Sequence, residues 1–135
     1  MEMRMRTYTM LAMIVVAAAA PAFADEMPAR FYGVWLQGDP ATQSCRVGDW
    51  DRRATQNLQG MIRVESKQVI GWESECTVQR VRTLADGAMV RFHCFDEGME
   101  HRPNEYWNVL YTKSGDVLTT GPSATAKQTT YVKCK

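Results

Sequence analysis

The sequence predicts an all-β fold: a small antiparallel meander of seven to eight strands, closed as a barrel or folded as a sandwich, and held by two disulfides. Three observations carry this expectation. No stretch keeps apolar residues at i, i+3, i+4 and i+7 for three turns, so amphipathic helices are not indicated. Short β-branched or aromatic runs recur instead, separated by Gly, Asp, Pro or Ser. Four cysteines, Cys45, Cys76, Cys94 and Cys134, sit in a short chain of 135 residues, an even count that reads as two bridges in an exported protein.

The first run is Phe31 to Gln37 (FYGVWLQ). Gly38 to Gly60 is a long polar stretch, with one helical turn expected near Trp50 to Thr55. Met61 to Val64 and Gln68 to Trp72 form a hairpin around Glu65-Ser66-Lys67. Cys76 to Thr83 and Ala88 to Phe95 flank Asp86-Gly87, a strong hairpin signal. Asn104 to Thr112 and Asp116 to Thr120 flank Ser114-Gly115, and Thr129 to Cys134 ends the chain. Tight turns between evenly spaced strands argue for a meander, and closing it removes exposed edges. Alternation places Val90, Phe92 and Cys94 on one face of their strand and Arg91 and His93 on the other. On the Asn104 strand both faces are partly apolar, which points to burial on two sides.

The start of the chain has the layout of a secretory signal. Arg4 and Arg6 precede an apolar run of eleven, Met10 to Ala20; Pro21 breaks it, and Ala22-Phe23-Ala24 offers a small-residue cleavage site. The run is shorter than the roughly 20 residues that span a bilayer. The expected division is residues 1–24 as signal and 25–135 as one mature domain, soluble, without a membrane or lipid anchor, in the periplasm or secreted. The mature part keeps 14 of the 16 Lys and Arg, and 14 of the 15 Asp and Glu. A net charge of zero does not favour a nucleic-acid partner.

The pairings expected are Cys76–Cys94, as cross-strand neighbours of one hairpin, and Cys45–Cys134, which would pin the last strand. Other pairings of four cysteines stay open at this point. No CxxC pair is present, so a zinc ribbon or thioredoxin-like site is not supported.

Trp72-Glu73-Ser74-Glu75-Cys76, Cys94, Glu97-Gly98-Met99-Glu100, Glu105-Tyr106-Trp107 and the terminal Tyr131-Val132-Lys133-Cys134 resemble the pattern of a family of small exported proteins from rhizobia and related alphaproteobacteria. That pattern runs C…DW, W-E-S-x-C, C-x-x-E-G-E, E-I-W and Y-x-x-C. Met99 departs from it. The resemblance spans about Cys45 to Cys134; it implies location and fold, and no chemistry. Gly33-Val34-Trp35 is also similar to the G-x-W of lipocalins and of periplasmic protease-inhibitor barrels, although a plain core tryptophan explains three residues as well.

The densest polar cluster is His93, Asp96, Glu97, Glu100 and His101. Such side chains can bind a divalent cation, but no HxH or HxxxH spacing fixes two ligands together, and a solvated loop is the simpler reading. Glu73 and Glu97 are a candidate carboxylate pair for glycosidase-type chemistry, which needs a cleft that tight hairpins leave little room for. No G-x-S-x-G turn or phosphate-binding glycine loop occurs. No cofactor and no enzyme activity are expected. Trp50, Arg52, Arg53, Glu97 and His101 are the candidate contact surface, since Trp and Arg are enriched at hot spots; the plainer alternative buries Trp50 and leaves the charges wet. The function expected is that of an exported, non-catalytic binding or inhibitory β domain acting on a protein or envelope component. The alternative is a lipocalin-like carrier of a small apolar ligand.

Overall fold

A computed structural model describes residues 23–135. Most of the expected signal, residues 1–22, lies outside the described residues. Ten strands follow in chain order: β1 (Phe23–Ala24), β2 (Gly33–Gln37), β3 (Met61–Val64), β4 (Gln68–Ile70), β5 (Ser74–Leu84), β6 (Gly87–Asp96), β7 (Met99–His101), β8 (Asn104–Thr112), β9 (Gly115–Gly121) and β10 (Thr129–Lys133). Short 3₁₀ turns cover Ala29–Phe31 and Val47–Trp50.

Every pairing is antiparallel. β2 to β6, then β8, β9 and β10, follow one another around a ring, and β10 closes on β2. The meander is thus an eight-stranded barrel, with β1 and β7 as extra strands. β1 holds the last two residues of the expected signal; Phe23 pairs with Arg82 and Ala24 with Val81, and the Arg80 guanidinium lies 3.8 Å over the Phe23 ring.

Alternation decides which side chains fill the barrel. Trp35, Val64, Val69, Val90, Phe92, Cys94, Trp107 and Leu118 belong to the interior cluster. In β5 the register shifts between Val78 and Arg80. One extra residue there lets both Val78 and Val81 reach the core. The expected two-sided burial of the Asn104 strand holds only in part. Trp107 and Val109 point inward and Tyr106 packs outside, whereas Leu110 and Tyr111 are exposed.

One barrel end is plugged. The 3₁₀ turn at Ala29–Phe31 drops Phe31 onto Trp107, edge to face at 5.7 Å between centroids, and the Trp35 indole N–H donates to the Phe31 carbonyl at 3.0 Å. Phe31 and Trp35 are fully buried. The tryptophan of Gly33-Val34-Trp35 is therefore a core residue that also ties the plug to the first barrel strand.

A second apolar cluster lies outside the barrel. Val34, Leu36, Met61 and Val132 point outward from β2, β3 and β10, and the irregular Gly38–Gly60 stretch covers them with Trp50 and Cys45. Cys45–Cys134 clamps this cover to the last strand, and Cys76–Cys94 bridges β5 and β6 inside the barrel. Both bridges match the expected pairing. Local turns differ from the sequence reading. The helical turn falls at Val47–Trp50, before the expected Trp50–Thr55. The Arg46 backbone N–H donates to Asp49 Oδ2 at 2.8 Å there, and this bond, then the nearby Arg52, holds the Asp49 carboxyl below its ordinary range. The β5–β6 turn is Ala85-Asp86, with Gly87 already in the strand. Gly87 is required for a close approach: a Cβ there would lie 2.4 Å from the Trp107 carbonyl oxygen and 2.8 Å from the Tyr106 hydroxyl.

Candidate functional site

The open barrel end is built from two hairpin tips. Strand β4 stops at Ile70, two residues short of the expected Trp72. The Gly71 N–H donates to the Ser74 carbonyl at 2.9 Å, which closes a tight turn and leaves Trp72-Glu73 at its tip. The second tip is Glu97-Gly98, between the paired residues Asp96 and Met99. Both tip residues have positive φ, 48° and 82°, the conformation of a two-residue type I′ hairpin. The expectation that the polar cluster runs into a solvated loop after the Ala88 to Phe95 strand is corrected here. Met99–His101 is strand β7, in line with β8 along β6; Arg102-Pro103 separates the two, and although Pro103 has no N–H to give, its carbonyl accepts from the Phe92 N–H at 3.0 Å.

The two tips touch. The Glu97 backbone N–H donates to the Glu73 carbonyl at 3.1 Å. The tips Trp72-Glu73 and Glu97-Gly98, separate in the chain, therefore meet at this barrel end, beyond the Cys76–Cys94 bridge. Beneath them a cavity of about 370 Å³ enters the barrel. Ile62 and Tyr131 point into it from β3 and β10. Gln37, Gln59, Trp72, Glu73, Ser74, Asp96 and Glu97 form its rim. Trp72 is half-buried and also borders two neighbouring depressions, which it shares with Glu73 and Arg53. Tyr131 titrates above its ordinary range, mainly because it is buried and then because Glu105 is near; a Thr120 hydrogen bond opposes the shift. Glu105 is fixed by the Trp107 indole N–H at 3.0 Å.

The five-residue polar cluster is not assembled around one point. Cys94 pairs with His101 and Phe95 with Glu100, so His93 and Glu100 share one face of the β6–β7 hairpin, and Asp96 and His101 share the other. His93 Nε2 meets Glu100 Oε1 at 2.5 Å, with Arg102 nearby, and these neighbours hold the Glu100 carboxyl below its ordinary range. His101 Nε2 bonds Asp96 Oδ2. Among the described residues no three His, Cys, Asp or Glu side chains converge as metal ligands. The carboxylate pair fares differently, since Glu73 and Glu97 both reach the mouth.

The candidate contact surface divides as well. Trp50 is only 6% exposed, so its ring is not offered to a partner. Burial against the outer cluster is the reason: Arg53 stacks on it at 3.8 Å and donates to its carbonyl at 2.8 Å, with Arg63 on the ring at 5.2 Å. Arg52 is exposed and pairs with Asp49. Glu97 and His101 belong to the rim hairpin. Sequence reasoning missed Trp72 and Tyr131 as site residues. The signal for Trp72 was Gly71 followed three residues later by Ser74, a turn that lifts the tryptophan out of the strand.

The two disulfides point to an oxidising compartment outside the cytoplasm. Among the described residues no helix is long and apolar enough to cross a membrane. No protein-family model matches the chain, and neither a curated protein nor a solved structure matches it.

Proposed function

We propose that the chain is an exported, non-catalytic binding or inhibitory β domain, working in the periplasm or medium on a protein or envelope component. The contact is made by the open barrel end. The observation that carries this reading is the asymmetry of the barrel. One end is sealed by Phe31 and Trp35, and the other presents the half-buried Trp72 beside the exposed Glu73 and Glu97, on two hairpin tips joined by a backbone hydrogen bond. Rigid display of an aromatic anchor is how small domains gain affinity without ordering costs. The carrier alternative has less support, because Phe31, Trp35, Phe92 and Leu118 fill the space an apolar ligand would need.

The test is affinity capture from an envelope extract with the oxidised domain starting at Asp25, run beside Trp72→Ala and Glu73→Gln/Glu97→Gln. Capture of one protein, lost in both rim variants, supports the reading. A co-purified lipid favours the carrier, and capture indifferent to the rim variants would refute the placement of the contact.

A further inference from the structure

The geometry points to an organic cation as the group that the open mouth receives: an alkylammonium or guanidinium seated against Trp72 and between Glu73 and Glu97. This inference rests on the mouth being the contact and names the chemistry that it recognises. Three features of the cavity lead there.

Its lining carries three carboxylates, Glu73, Asp96 and Glu97, and no Lys or Arg side chain. Asp96 is engaged by His101. Glu73 and Glu97 form no ion pair among the described residues, so their charge is on offer. Arg53, the guanidinium of the neighbouring depressions, is committed to the ring and carbonyl of Trp50.

The cavity also has aromatic walls, Trp72 at the rim and Tyr131 deeper inside. A cation over an aromatic face is stabilised by the ring quadrupole, and tryptophan serves best. Carboxylates beside an aromatic face discriminate a cation from a neutral group of the same shape. Its size, about 370 Å³, is at the lower end of small-ligand sites. It is large enough to admit a side chain or a small amine.

The hairpin tips are, finally, held in place. Glu97 is tied to Glu73 through the backbone at 3.1 Å, and the Cys76–Cys94 bridge lies directly behind. The backbones that carry the two carboxylates are joined before a ligand arrives, which lowers the ordering cost of binding.

Amide chemical shifts of the oxidised domain test this, titrated with N-acetyl-lysine methylamide, N-acetyl-arginine methylamide and tetramethylammonium, and with N-acetyl-norleucine methylamide as the neutral counterpart. A cationic probe should bind at the mouth about tenfold tighter than norleucine. Glu73→Gln/Glu97→Gln should abolish that preference, Trp72→Ala should weaken the cation at least fivefold, and Trp72→Phe should restore part of it. Preference for the lysine or arginine probe assigns the cation to a partner's side chain; preference for tetramethylammonium assigns it to a small quaternary amine. Equal binding of norleucine, or no shifts at the mouth up to ~10 mM probe, overturns the inference. Rim-dependent capture of a partner without cation preference would refute this chemistry and leave the binding reading standing. The dispersion of the free variant's spectrum separates lost binding from lost fold.

Discussion

Replacing the outer disulfide should destabilise this barrel more than replacing the inner one. Cys45 and Cys134 are 89 residues apart, Cys76 and Cys94 only 18. In the chain-entropy model these closures are worth about 4.6 and about 3.2 kcal/mol. The inner bridge shortens the outer loop, which lowers the first figure only to about 4.4 kcal/mol. The folded state adds to the same side. The outer bridge fastens the Gly38–Gly60 cover over Val34, Leu36, Met61 and Val132, whereas Cys76–Cys94 joins strands already paired over ten register positions. Urea unfolding of Cys45→Ala/Cys134→Ala and Cys76→Ala/Cys94→Ala, both beside the parent, gives the comparison. The outer variant should lose roughly 1 kcal/mol more, and both should show steeper denaturant dependence as the unfolded chain expands. An outer variant as stable as the parent, or an inner variant that loses more, would refute the loop-length reasoning.

Trp50→Ala should cost about 3 kcal/mol in the same assay, because the ring is buried against the outer cluster under two arginines. Gly87→Ala should cost roughly 1–3 kcal/mol, since its Cβ would meet the fixed Trp107 carbonyl; a neutral result would mean that β6 and β8 can separate. Tyr131 gives the pH dependence. Its raised pKa means that the folded state holds the phenolic proton more tightly than the unfolded chain. The stability this contributes is fully present below the ordinary tyrosine value of 10.0 and falls away as pH rises through the folded value. Absorbance titration should show one late-ionising tyrosine, absent in Tyr131→Phe.

The barrel strands were legible because their period-2 pattern survives in sequence. Val90, Phe92 and Cys94 face inward as alternation requires, and the Cys76–Cys94 pairing follows from that shared face. Closure was left open because one strand's pattern does not encode which edges meet; β2 and β10, the first and last barrel strands, pair across nearly the whole domain, and no tight turn marks them as neighbours. The rim was illegible for a local reason. Trp72 and Glu73 look like the end of a strand until the Gly71–Ser74 turn is known. Glu97-Gly98 lacks the Asn or Asp that marks a two-residue hairpin, so β7 passed for a loop, and the carboxylates and histidines seemed one cluster although the hairpin divides them between two faces. Trp50 shows the opposite error. An aromatic within Asp49-Trp50-Asp51-Arg52-Arg53 reads as a contact surface, but the arginines cover the ring and bury it.

The central claim, that contact is made through the open end, is tested most directly by position-specific photo-crosslinking in an envelope extract. A photoreactive residue placed at Trp72 is compared with one at Tyr111, an exposed residue near the far end of β8. The account predicts a crosslinked partner from position 72 and none from position 111. A partner crosslinked from position 111 and absent at position 72 would contradict it.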